Sequence, residues 1–285
     1  MGESKSKYQP DLDGVAETLL WPLYNRAAEA RRNDARLHDP KAIEICDAVD
    51  YPFAENFGAP DQIHSLRALC IDSEIKQFLS IYPTATVVAL GDGLETQFWR
   101  VDNGQMKWLA VDLPQSIDLR RRFMPDSDRH RNLACSALDL RWMDELDTPD
   151  VIITAQGLLM YFAPEEVRRL IGGCAARFPG CRMLFDVIPR WFAANTLNGY
   201  QKTRTYRTPP MPWGLDVNQL AEIQSFHPNI AEVRELDFGR GRGYFYGFGL
   251  PILMRLPFLG NRRTSFVMVR FGETAAGRST AAVAR

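Results

Sequence analysis

Residues 85–96 read ATVVALGDGLET. The first six are apolar or β-branched and too few for a helix of ordinary length, so they describe a strand buried on both faces. Gly91-Asp92-Gly93 follows at once, a tight turn that brings backbone close to whatever lies at the carboxyl edge of the sheet. Nineteen residues past Gly93 a second apolar run, Met106 to Val111, ends on Asp112, where a carboxylate can accept both hydroxyls of a ribose. A third run, Asn132 to Ala137, leads into Ser136-Ala137-Leu138-Asp139-Leu140. There Asp139 falls where an adenine amine would lie and Leu140 is one of the apolar residues that could sandwich the base. Two more strands, Val151 to Ala155 and Met183 to Ile188, flank a helix opened by Pro164, with Glu165 and Glu166 in its first turn. Strands alternating with helices predict an α/β fold with a doubly wound, mostly parallel sheet.

Outward from this core, residues 15 to 50 carry apolar side chains at helical spacing: Val15, Leu19, Leu20, Leu23 and Tyr24. Residues 61 to 81 do the same, with Asp72 and Ser73 suited to cap a junction between two helices. The expected plan is one domain over 1–285: a helical cap (1–82), a cofactor-binding core (83–189), an inserted lid (190–232), C-terminal strands (233–272) and a small polar tail (273–285) that is disordered.

The chain has 34 basic and 35 acidic side chains, a net charge of -1. No global field draws it to nucleic acid or to an anionic membrane. The N-terminus is polar, and no apolar run is long enough for a secretion signal or a membrane span. Five scattered cysteines form no C-x-x-C pair, which argues against a disulfide framework and a thiolate metal site and fits a cytoplasmic protein. The partner expected is a small molecule. The aromatics from Tyr244 to Phe248 offer an apolar surface for a flat ligand or for a second subunit, which would make a homodimer.

A dinucleotide-binding turn needs a third glycine, G-x-G-x-x-G, for close helix packing beneath a diphosphate, and that position here is Thr96. S-adenosylmethionine has no phosphate, so the turn favours that donor over NAD; an NAD(P)-dependent oxidoreductase is the alternative.

Four blocks in order, VVALGDGLETQFWRVD (87–102), LAVDLPQSIDLRR (109–121), SALDLRW (136–142) and QGLLMYFAPEEVRRLI (156–171), resemble the leucine carboxyl methyltransferase family, nearer its bacterial polyketide, tetracenomycin-type branch. The resemblance covers about residues 15 to 271. It implies S-adenosylmethionine as methyl donor, Arg67 as partner of the donor's carboxylate, Gly91 and Gly93 as the cofactor turn, Asp112 with Leu113 at the ribose, and Asp139 with Leu140 at the adenine. Tyr161, at a strand's carboxyl end, would reach the transferred methyl or the acceptor. The family's usual Ala and Asp-Thr-Arg are here Asp92 and Glu95-Thr96-Gln97, and its usual Glu-Gly is Gln156-Gly157. Gln156 keeps a hydrogen bond to the donor's ammonium but drops the charge, which opens a further reading as a catalytically weak homologue acting as a binding protein. A carboxylate acceptor is ionised at neutral pH and needs no general base, whereas a phenol would benefit from one. None of the four histidines falls in the four blocks, so the reading leans to a carboxylic acid. Lys202, Arg204 and Arg207 could receive such an anion.

Overall fold

The computed structural model of the chain describes residues 7–237, 239–256 and 260–273. Seven strands form one sheet in the order β3-β2-β1-β4-β5-β7-β6. They are β1 (Thr86–Leu90), β2 (Lys107–Asp112), β3 (His130–Ala134), β4 (Val151–Ala155), β5 (Arg182–Val187), β6 (Ile230–Leu236) and β7 (Ser265–Phe271). The first five run parallel, while β7 pairs antiparallel with both β5 and β6. The chain winds outward from β1 to β3 and then crosses back to β4, which makes the carboxyl ends of β1 and β4 the switch point where open α/β sheets bind ligands.

Alternate side chains sort to the two faces, as a pleated strand requires. Val88, Leu90, Leu109 and Val111 join the core beneath α8 (Pro164–Arg177), and Val87, Ala89, Trp108 and Ala110 join the core beneath α5 (Ile63–Leu79). The N-terminal cap consists of α1 (Gly14–Glu17), α2 (Leu20–Ala30), α3 (Pro40–Ala48) and α4 (Phe53–Phe57), with its own core around Leu20, Leu23, Ile45 and Phe57. Helix α6 (Gln97–Val101) follows the glycine turn, α7 (Pro114–Phe123) follows β2, α9 (Arg190–Leu197) follows β5 and α10 (Leu250–Arg255) lies between β6 and β7.

Four expectations change. The helical stretch 15 to 50 is broken between α2 and α3, where Asp39 accepts from the Ala42 N–H and caps α3 beside Pro40 at its first position. Residues 61 to 81 hold one continuous helix, α5. Asp72 lies in its interior, where long-range bonds from Gln97 and Arg100 replace the capping role its local sequence suggests. The third strand begins at His130, two residues early. The region 233–272 is not strands alone, since a π-helical turn (Phe245–Gly249) and α10 stand between β6 and β7, and β6 itself starts inside the expected lid. Most of the expected tail lies outside the described residues. Among the described residues no helix is long and apolar enough to cross a membrane.

Candidate active site

The turn after β1 adopts a backbone that only glycine takes readily. Gly91 has φ +62° and Gly93 φ +46°, and a Cβ on either would meet Leu158 at 2.7 Å or Leu19 at 2.9 Å. The loop is thus threaded between the segment after β4 and the N-terminal cap. The Gly93 N–H donates to Asp112 Oδ2 at 2.8 Å, and the Leu113 N–H donates to Oδ1 at 2.7 Å. Burial pushes the Asp112 carboxyl up while these amides pull it down. Ser116 also bonds to this carboxylate, which leaves a lone pair for a further donor, such as a ribose hydroxyl.

Two buried arginines grip the loop from behind. Arg120 of α7 donates to Gly93 O and Glu95 O, both at 2.9 Å, to the Asp92 carboxylate at 2.7 Å and to Asn132 Oδ1 at 2.8 Å. Arg26 of α2 reaches Leu94 O at 2.9 Å and Glu95 at 2.8 Å. The two acids that depart from the family pattern are therefore committed to protein cations. Burial raises Asp92 to about 7 against the pull of Arg120, and Trp108 Nε1 donates to it at 3.0 Å. Burial raises Glu95 as well, but Arg26 and Arg100 outweigh it and hold that carboxyl at about 2. Thr96, at the position of the missing glycine, donates its hydroxyl to Asp39 at 2.7 Å and ties the loop to the cap.

At the carboxyl ends of β4 and β5, Arg67 Nη1 donates to Asp186 Oδ2 at 2.9 Å, and the Gly157 N–H donates to Asp186 Oδ1 at 2.5 Å. Gln156 Nε2 donates to Gln97 Oε1 at 2.9 Å, and Gln97 Nε2 donates to Asp72 Oδ1 at 2.5 Å. This relay has one direction. Asp72 is bound to Arg100 and, as a carboxylate, can only accept; Gln97 must give it the amide nitrogen, and Gln156 must give its own nitrogen to Gln97. The amide oxygen of Gln156 is left over. It and Arg67 Nε are buried without a hydrogen-bond partner, and both residues line the same cavity. One unpaired acceptor and one unpaired cationic donor are the complement of an amino-acid zwitterion, the methionine end of S-adenosylmethionine.

The cavity has a volume of about 440 Å³ and brings together Arg67, Gly91, Gly93, Asp112, Leu113, Gln156 and Tyr161. Asp139 and Leu140 are not brought into it. Asp139 caps the short helical turn Leu140–Glu145 and takes the Arg141 N–H and guanidinium, while Leu140 packs on Gly173 of α8. Ser136 and Ala137 form the wall on that side. Tyr161 is among the residues that line the cavity. Burial raises its phenol to about 12, against a hydrogen bond from Thr18, so it is protonated at neutral pH. His64 also lines the cavity, 2.7 Å from the Asn25 amide and edge-on to Trp21. Burial and the Arg67 charge hold it well below the usual imidazole range, hence neutral.

Sequence reasoning missed Asp186, the anchor of Arg67. Its signal was an acid inside the apolar run Met183 to Ile188, because a carboxylate buried in a strand requires a buried partner.

An open sheet with a glycine turn, a strand-end carboxylate and an unpaired acceptor and cationic donor in one cavity at its switch point has the layout of a class I, S-adenosylmethionine-dependent methyltransferase. The leucine carboxyl methyltransferase family model matches residues 20–175, and the chain belongs to that family. It is similar to the tetracenomycin polyketide synthesis O-methyltransferase TcmP of Streptomyces glaucescens, 27% identical over 77% of this chain and 81% of that one. It is also similar to dpfgK, an S-adenosyl-L-methionine-dependent methyltransferase of Gibberella zeae, 26% identical over 60% of this chain and 63% of that one. The solved CurJ carbon methyltransferase has the same fold, with 11% identity, a TM-score of 0.51 and coverage of 90% of this chain and 70% of that one.

Proposed function

We propose that the protein O-methylates a small hydrophobic acid, with Arg67, Gly91, Gly93, Asp112, Leu113 and Gln156 holding the donor and Tyr161 bordering the reacting atoms. S-adenosylmethionine supplies a methyl carbon on a sulfonium, ready for in-line displacement. The protein's tasks are then alignment and exclusion of water. The observation that carries this reading is the pair of unpartnered polar atoms, Arg67 Nε and Gln156 Oε1, in one cavity with Asp112. Asp139 and Leu140 stay outside the proposed donor set.

The acceptor oxygen is best a carboxylate. A phenol, titrating near 10, would benefit from a base matched to it. His64, held far below that, and Tyr161, protonated at neutral pH, are both mismatched. The cavity wall of Trp21, Phe162, Phe192, Tyr200 and Met211 suits a flat aromatic body, in keeping with the polyketide named for the Streptomyces relative.

Isothermal titration with S-adenosylhomocysteine and with NADH tests the donor. Saturable binding of the former supports the reading, and binding of NADH alone overturns it in favour of an oxidoreductase. Turnover of aromatic acids should not climb as pH rises from about 8 toward 10. A rate rising toward the phenol range would assign a phenolic acceptor, and donor binding without turnover of any acid or phenol would assign a binding protein.

A further inference from the structure

We propose that Lys202 is the specificity-determining residue for the acceptor: its ammonium, seated on the ring of Trp21, captures the carboxylate to be methylated. This rests on the methyltransferase reading above. Three Lys or Arg side chains line the cavity, Arg26, Arg67 and Lys202. Arg26 is paired with Asp39 and Glu95, and Arg67 with Asp186. Lys202 makes no ion pair among the described residues. Its Nζ lies 4.8 Å from the centre of the Trp21 ring, where the electron-rich face steadies a cation without neutralising it.

The backbone that presents Lys202 is fixed. The Lys202 N–H donates to Tyr206 O at 3.0 Å, Gln201 bridges to Arg207, and the hydroxyls of Thr203 and Thr205 donate to Asn56 O and Glu55 O of α4 at 2.9 and 3.0 Å. The same turn sends its other basic residues elsewhere: Arg204 and Arg207 are exposed and do not line the cavity. Asp61 also lines the cavity and feels the Lys202 charge, but it lies beyond ion-pair distance, and its Oδ1 is engaged by the Ile63 N–H at 2.9 Å and by Asn25 at 3.4 Å.

Charge bookkeeping predicts how Lys202 acts. A carboxylate oxygen forms the new C–O bond as the S–C bond breaks, its electron pair stays on sulfur, and no proton moves. One anion and one sulfonium become a neutral ester and a neutral thioether. The ion pair with Lys202 is therefore strongest before transfer, fades in the transition state and vanishes in the product. Such a contact lowers KM and favours release of the ester without raising kcat.

The test uses the full-length enzyme and its Lys202→Met, Lys202→Arg and Arg204→Met variants. S-adenosylhomocysteine is titrated first; if it fails to bind the wild type, the donor reading fails and not this one. On the loaded enzyme, a panel of aromatic acids including 2-naphthoate is titrated beside the corresponding methyl esters. The wild type should prefer acid over ester, with Lys202→Met weakening acid binding about 10- to 100-fold and leaving ester binding in place. Lys202→Arg should restore much of the preference, and Arg204→Met should keep it. For any acid turned over, the loss in Lys202→Met should fall on KM rather than kcat. The proposal is overturned if no acid binds the wild type more tightly than its ester, if Lys202→Met keeps the preference, or if its defect lies in kcat alone.

Discussion

Gln156→Met removes the amide oxygen that the relay leaves unpaired, while an unbranched side chain of similar length fills the space. Two effects follow from the bonds that change. The donor's ammonium loses a charge-assisted acceptor, about 1.5–3 kcal/mol, or roughly 10- to 100-fold weaker S-adenosylhomocysteine binding. Gln97 Oε1 loses the 2.9 Å bond from Gln156, which costs about 1–3 kcal/mol of stability if no water replaces it. Calorimetric titration measures the first and denaturant unfolding the second. Methylthioadenosine, which keeps the nucleoside but has neither ammonium nor carboxylate, is the internal control and should bind wild type and variant alike. The reasoning is refuted if the folded variant binds S-adenosylhomocysteine as tightly as the wild type, or if methylthioadenosine loses affinity by the same factor.

Gly91→Ala forces an L side chain into φ +62° and against Leu158, so it should cost about 1–2 kcal/mol in chemical denaturation and weaken donor binding as the loop shifts. Arg120→Met strands Gly93 O, Glu95 O and the Asp92 carboxylate together; a loss of about 3–5 kcal/mol is expected, read as a large drop in denaturant midpoint. Glu95 titrates at about 2 in the folded protein against an ordinary 4.5, so folding favours its charged form. That contribution, about 3 kcal/mol, is complete above pH 4.5 and is lost as pH falls toward 2; the stability gap between wild type and Glu95→Gln should close over that window in unfolding measured at stepped pH. Asp112→Asn turns an amide nitrogen toward either the Gly93 or the Leu113 N–H, so both S-adenosylhomocysteine and methylthioadenosine should bind at least about tenfold more weakly.

β1, β2 and β4 were legible because their apolar runs are short and uninterrupted, while polar His130 and Arg131 hid the start of β3; Gly91, Gly93 and Asp112 were legible because they sit at strand ends where position follows from the strand itself. The partners of buried charge were not. Nothing in the local sequence sets Arg26, Asp39, Arg100 or Arg120 apart, and only the folded chain shows the first joining the second across the α2–α3 break while the last reaches under the glycine turn. Asp72 illustrates the same limit: local sequence offers a cap, and a side chain 28 residues on claims it for an ion pair. Asp139 shows the reverse, since a neighbour two residues away, Arg141, takes the carboxylate that spacing along the sheet assigned to adenine.

The one-way chain of amides from Asp72 to Gln156 also bears on how a mutational screen of this enzyme should be interpreted. Asp72→Asn would remove the fixed end of the chain and let both glutamine amides turn over, offering an N–H to an ammonium that wants an oxygen. A library sorted on ligand retention would then flag a residue on α5 that is not among those lining the cavity. Its phenotype would be a rotated amide two side chains away, so distance from the ligand is a poor guide to which positions in this protein govern recognition.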